Sequence, residues 1–257
     1  MASFVRLSRL DPYQLFVSTL REARPVMRLA YDSAFQAFTR RNDLVMESLR
    51  SQLDDQASFE LDLTGSSWHT PRRTQDPRRL HAEAQVMDLQ ADQFASLVVC
   101  FGDDAIQRFR RAVLGGDSAM RPGFGPTYFG ERLTTLLRVG SNAFRHVSEW
   151  DDMFTTLPYP DISDVKPGTS EYRALQNIEV IQRMFGIGKH ELIRDPISWR
   201  VIVTIDGQYG TAEPSYERFE QALIQAARDI ARIAGGDAAS LLENELAREN
   251  TAELQIQ

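Results

Sequence analysis

Apolar positions recur at helical spacing along most of this chain and at strand spacing in two short places. Residues 11–56 carry the helical pattern, with Asp11-Pro12 reading as N-cap and first turn. Pro25 and the Arg40-Arg41-Asn42-Asp43 run are expected to kink or divide that helix. Phe59, Leu61 and Leu63 then alternate with Glu60 and Asp62, which predicts a short half-buried strand ending at Thr64-Gly65-Ser66-Ser67. Trp68 to Leu80 is polar, holds two prolines and reads as an exposed loop. The helical period resumes from about Leu80 to Leu114, with a break expected at Gly102 and an end at Gly115-Gly116.

The turn-rich stretch 120–126 leads into 127–154, the most informative segment. At about 100° per residue, Phe129, Leu133, Leu136, Leu137, Gly140, Phe144, Val147 and Phe154 share one face. Arg138, Asn142, Arg145 and Glu149 lie opposite, with His146 and Trp150 at the border. Residues 157–170 contain three prolines and no helical period, and mark a linker. A helix over 170–185 follows, then a strand over Trp199–Asp206 in which Val201, Val203 and Ile205 alternate with Ile202 and Thr204. A turn at 207–210, a strong helix over 215–234 and a terminal helix that frays into a polar tail complete the chain. The expected fold is mainly α. Residues 1–156 form a helical bundle, and 171–257 form a smaller α/β part with a minor β-sheet. The strands at 58–63 and 199–206 would pair and tie the two into one unit.

Composition narrows the chemistry. The chain has 257 residues and 42% hydrophobic content, enough for a sizeable core. Its longest apolar runs are far short of a membrane span, and the N-terminus lacks the pattern of a secretory signal. Cys100 is the single cysteine and sits in an apolar run, which predicts a buried small hydrophobe in a reducing cytoplasm. Net charge is −7, divided as 19 Lys+Arg against 18 Asp+Glu in residues 1–150 and 10 against 18 beyond them. No lysine precedes Lys166, so every earlier cation is an arginine, whose planar fork suits phosphate or carboxylate. The overall acidity argues against broad duplex DNA binding but leaves room for a local phosphate or RNA site. The four histidines are scattered and no paired-cysteine or HExxH motif occurs, so neither a metal nor a cofactor is expected. Asp103-Asp104, after Gly102, reads as the N-terminal charge of a helix. Trp199, Tyr128, Phe129, Phe144 and Phe154 read as core aromatics.

On the polar side of 127–154, Arg138, Asn142 and His146 stand at i, i+4 and i+8 and form a ladder. Imidazole supplies an acid or base near neutral pH, arginine stabilises extra charge on phosphorus, and an amide orients either. Asn142-Ala143-Phe144-Arg145-His146 resembles the amide-to-histidine half of the HEPN superfamily signature (higher eukaryotes and prokaryotes nucleotide-binding). Ser141 stands where the family arginine belongs, with Arg138 one turn earlier and Arg145 beside the histidine. The resemblance implies a helical bundle and a metal-independent endoribonuclease, of the kind found in bacterial toxin and defence systems, acting as a homodimer. In that role His146 is the acid/base, Arg138 and Arg145 stabilise phosphate, and Asn142 orients. Arg72, Arg73, Arg78 and Arg79, flanked by His69 and His81, would then contact RNA. The alternative is a non-catalytic helical interaction subunit, whose acidic C-terminal part binds a basic partner.

Overall fold

Asp11 accepts the backbone N–H of Tyr13 at 3.0 Å and opens a helix of 52 residues. In this computed structural model, residues 11–63, 76–115, 123–153, 161–187, 195–207 and 215–254 are described. They comprise α1 (Pro12–Leu63), α2 (Pro77–Leu114), a two-stranded hairpin of β1 (Thr127–Tyr128) and β2 (Glu131–Arg132), α3 (Leu133–Met153), a 3-10 turn (Ile162–Asp164), α4 (Ser170–Phe185), α5 (Ile197–Asp206), α6 (Tyr216–Ala234) and α7 (Ala238–Leu254). The fold is mainly α.

α1 and α2 run antiparallel. Phe109, near the end of α2, meets Tyr13 and Phe16 at the start of α1, with ring centroids 5.7 and 4.7 Å apart. Leu44 packs with Leu80 and Ala84 toward the other end. One core joins α1, α2, α3, α5, α6 and α7. α5 lies at its centre, touching α2, α3 and α6, and Trp199 stacks on Phe38 at 4.5 Å. A second cluster sets Val139, Ala143 and Trp150 of α3 against Leu175, Ile178 and Ile181 of α4. On α6 the buried positions Phe219, Leu223, Ala226, Ala227 and Ile230 recur at helical spacing.

Four expectations from the local pattern are corrected. α1 is not divided: it continues through Pro25 and through Arg40–Asp43. Pro25 lies on the solvent side, where water can serve the Arg21 carbonyl that proline leaves unpaired. Arg41 binds Asp88 of α2 at 3.2 Å and lies over the Phe38 ring. The strand expected at 58–63 is instead the last turns of α1, because extending an existing helix costs far less than starting a new element. α2 likewise passes unbroken through Gly102, where a Cβ would come within 2.9 Å of Phe219 Cζ.

The strand expected at Trp199–Asp206 is helix α5, so the pairing between the two strands does not exist. Its β-branched run is buried nearly all round, which suits a core helix as well as an interior strand. The described part of 171–257 is therefore entirely helical, and the small sheet lies at 127–132 instead. The helices predicted over 80–114, 170–185 and 215–234 are present.

Candidate functional site

The segment 127–154 opens as a hairpin rather than a helix. Thr127 pairs with Arg132 and Tyr128 with Glu131 around a two-residue turn in which Phe129 has φ 48° and Gly130 φ 85°. Two left-handed residues between paired strands make a tight hairpin turn. Phe129 is consequently 68% exposed and does not join the apolar face, and Phe144 is 47% exposed, so neither is a core aromatic. Phe124 and Thr134 clasp the entry to α3: the Phe124 N–H donates to Thr134 Oγ1 at 2.8 Å, and the Thr134 N–H donates to the Phe124 carbonyl at 3.2 Å.

From Leu133 the helix is continuous through Gly140-Ser141. Gly140 makes this possible at close range, since a Cβ there would lie 2.9 Å from Val99 Cγ1 of α2 and 3.1 Å from Val201 Cγ2 of α5. Leu133, Leu136, Leu137, Val139, Ser141 and Ala143 are buried. Trp150, assigned to the border, is also buried, against α4. The phase of the helix then leaves Arg138, Arg145 and Glu149 exposed and Asn142 and His146 partly exposed along one polar face.

His146 Nδ1 lies 3.0 Å from Glu149 Oε2, three residues on. In the tautomer with the proton on Nδ1, the ring donates to the Glu149 carboxylate and Nε2 is left as an acceptor. Arg138 and Arg145 are both exposed on this face, and among the described residues neither makes a hydrogen bond or an ion pair within 4 Å.

The carboxylate of Asp103, expected as the N-terminal charge of a helix, lies inside α2 instead. Asp103 sits in the middle of α2 and is 8% exposed. Burial pushes its pKa up, while Gln107, Ser141, Arg145 and Arg138 favour the charged form. Gln107 Nε2 donates to Asp103 Oδ1 at 3.4 Å. The Ser141 hydroxyl is near enough to favour the carboxylate but is buried without a formed hydrogen bond. The sequence did hold a signal: Asp103 falls on the same helical stripe as the buried Val99 and Ile106, where a carboxylate is costly.

The arginines assigned to RNA contact lie elsewhere. Arg72 and Arg73, with His69, are outside the described residues. Arg78 and Arg79 occupy the first turn of α2, where Asp76 accepts the Arg78 N–H at 3.0 Å and Arg79 pairs with Glu83 at 2.9 Å. At 1.5 Å per residue, roughly 36 Å of helix separates Arg79 from Asp103. Cys100, expected to be buried, is partly exposed. Among the described residues, no three His, Cys, Asp or Glu side chains gather as a metal site requires, and no helix is long and apolar enough to cross a membrane. A cleft of about 200 Å³ opens between α1, α6 and α7, with no residue of α3 in its lining. Comparison with protein families, curated proteins and solved structures finds no match to this chain.

Proposed function

We propose that the polar face of α3 handles a phosphodiester and that the protein is a metal-independent endoribonuclease. The observation that carries this reading is the continuity of α3 through Gly140-Ser141, which keeps Arg138, Asn142, Arg145 and His146 on one surface. His146 Nε2 takes the proton of a ribose 2′-hydroxyl. The 2′-oxygen bonds to phosphorus, the 5′-oxygen leaves and takes a proton from water, and a 2′,3′-cyclic phosphate remains. Arg138 and Arg145 stabilise the additional charge on the phosphoryl oxygens, and Asn142 orients the phosphate. Glu149 holds the imidazole in the tautomer that the first step needs. The HEPN resemblance supports the same chemistry and extends it to a toxin or defence effector working as a homodimer. The test is cleavage of total cellular RNA in EDTA by wild type and by His146→Ala. Cleavage by wild type alone supports the reading, and equal rates from both sink it.

One observation favours the second reading, a non-catalytic interaction subunit. Val86, Leu89, Phe94 and Leu97 form an exposed apolar stripe along α2. Under this reading the protein cleaves no RNA and is recovered from cells in a stable complex that Leu89→Glu disrupts.

A further inference from the structure

The exposed apolar residues of α2 are placed symmetrically about one point. Val86 and Leu97 lie equally far from the midpoint between Ala91 and Asp92, and so do Leu89 and Phe94. All four face solvent, Val86 at 49%, Leu97 at 51%, Leu89 at 62% and Phe94 at 37% exposure. The symmetry extends to polar positions: Gln90 matches Gln93 nearest the midpoint, and Arg79 matches Asp104 at the ends. At about 100° per residue, Arg79, Gln90, Gln93, Leu97 and Asp104 all lie within roughly 40° of Val86 and form one line along the helix. Leu89 and Phe94 flank that line, one on each side. Ala91, Ala95, Val98 and Gly102 are buried on the opposite side, so the line points away from the core. α1 also exposes Met46, Leu49 and Leu53, but their spacing has no such symmetry.

We propose that this face is the contact between two copies of the chain, whose α2 helices pack antiparallel about a two-fold axis at the Ala91–Asp92 midpoint. In a two-fold contact each residue meets the symmetry-related position of the other copy, so the face must complement itself. A face that meets a different protein is under no such constraint. Val86 then packs on the partner's Leu97, and Leu97 on the partner's Val86, while Leu89 and Phe94 close the seam on either side. Gln90 and the partner's Gln93 meet across the middle, where two side-chain amides can exchange hydrogen bonds. At each end Arg79 comes opposite the partner's Asp104. Arg79 pairs with Glu83 at 2.9 Å and Asp104 with Arg108 at 2.6 Å within each copy, so the ends bring together alternating charges. Exposed ion pairs of this kind set register more than affinity. From Arg79 to Asp104 the helix runs roughly 37 Å. One helix from each copy over that length makes a contact at the small end of stable interfaces, about 1,200 Å² in total. The pairing stands on α2 alone and does not depend on the chemistry proposed for α3.

Sedimentation of the full chain over a range of concentrations measures the pairing in wild type, Leu97→Asp, Leu53→Asp, Arg79→Asp and Asp104→Arg. Circular dichroism checks that each variant keeps its helix content. Wild type should form a dimer with a micromolar dissociation constant. Leu97→Asp should weaken it by about tenfold or more, and Leu53→Asp on α1 should leave it unchanged. Arg79→Asp and Asp104→Arg should each weaken the dimer. An equimolar mixture of the two should recover it, since each end of the mixed pair then sets one acid opposite one arginine. Wild type that stays monomeric at about 100 μM overturns the proposal, even where the stripe takes up a different protein or a lipid surface. So does a dimer that Leu97→Asp leaves intact, one that Leu53→Asp dissociates as readily, or a mixture of the charge variants that binds no tighter than either alone. RNA cleavage by the same proteins separates the two claims. A dimer that responds as expected but cleaves nothing removes the nuclease reading alone. Cleavage by a monomeric wild type removes the pairing alone.

Discussion

The carboxylate of Asp92 on α2 accepts the backbone N–H of Trp199 at the start of α5, at 3.0 Å and across 107 residues of sequence. α5 begins after Pro196, which offers no side-chain cap, so the cap comes from another helix. Burial dominates over these hydrogen bonds and raises the Asp92 pKa from 3.8 to about 6. A raised pKa means that the fold favours the protonated form, so this contribution is full below about pH 4 and lost as pH rises through about 6. Across that window it amounts to on the order of 3 kcal/mol. Asp92→Asn keeps an acceptor for Trp199 and should flatten the dependence of the urea midpoint on pH between 4 and 6. Asp92→Ala should in addition cost about 1 kcal/mol at all pH values through loss of the cap.

Gly140→Ala tests the seam that supports the candidate site. Alanine is the better helix former by about 1 kcal/mol, yet its methyl would meet Val99 from one side and Val201 from the other. Overpacking of about 1–3 kcal/mol should win. Thermal unfolding should show a lower Tm, and the anion affinity of the α3 face should fall with it.

Phe129→Asn should stabilise the protein. Phe129 holds φ 48° in the turn before Gly130 while its ring is 68% exposed, so it bears backbone strain and buries little. Asn-Gly is the preferred pair for such a turn, and relief of the left-handed strain is worth about 1 kcal/mol. A shift of the urea midpoint to lower concentration would contradict this.

Arg218→Ala should destabilise the junction between α5 and α6. Arg218 Nη1 donates to the Asp206 carbonyl at 3.1 Å and lies 3.4 Å from Asp206 Oδ1, whose side chain is fully buried. Removing one partner of a buried pair costs roughly 3–5 kcal/mol. Here about 2 kcal/mol is expected, because Arg218 is itself 41% exposed and screened by solvent. Chemical denaturation measures it directly.

Glu149→Gln and His146→Ala should leave stability within about 0.5 kcal/mol, since both side chains are exposed. If the nuclease reading holds, His146→Ala loses cleavage and Glu149→Gln lowers the rate by about tenfold or more, because the amide can stabilise the wrong imidazole tautomer. A His146→Ala protein that unfolds at a much lower temperature would instead mark a structural histidine.

How much of this was legible depended on the length of each pattern. The helices over 80–114, 170–185 and 215–234, and the phase that puts Arg138, Asn142, Arg145 and His146 on one face of α3, follow from apolar periodicity sustained over several turns. The chain by itself also carried the Asp11 cap of α1. Short patterns were decided elsewhere. Alternation at 59–63 yielded to the helix already running into it, and the β-branched run 199–206 became a helix buried among α2, α3 and α6. A run buried on every side has no polar face to reveal its period. Asp92 at the head of α5 and Gly140 between two valines belong to the tertiary structure alone. Each draws its meaning from a residue on another helix, and one-dimensional periodicity holds no information about which faces meet.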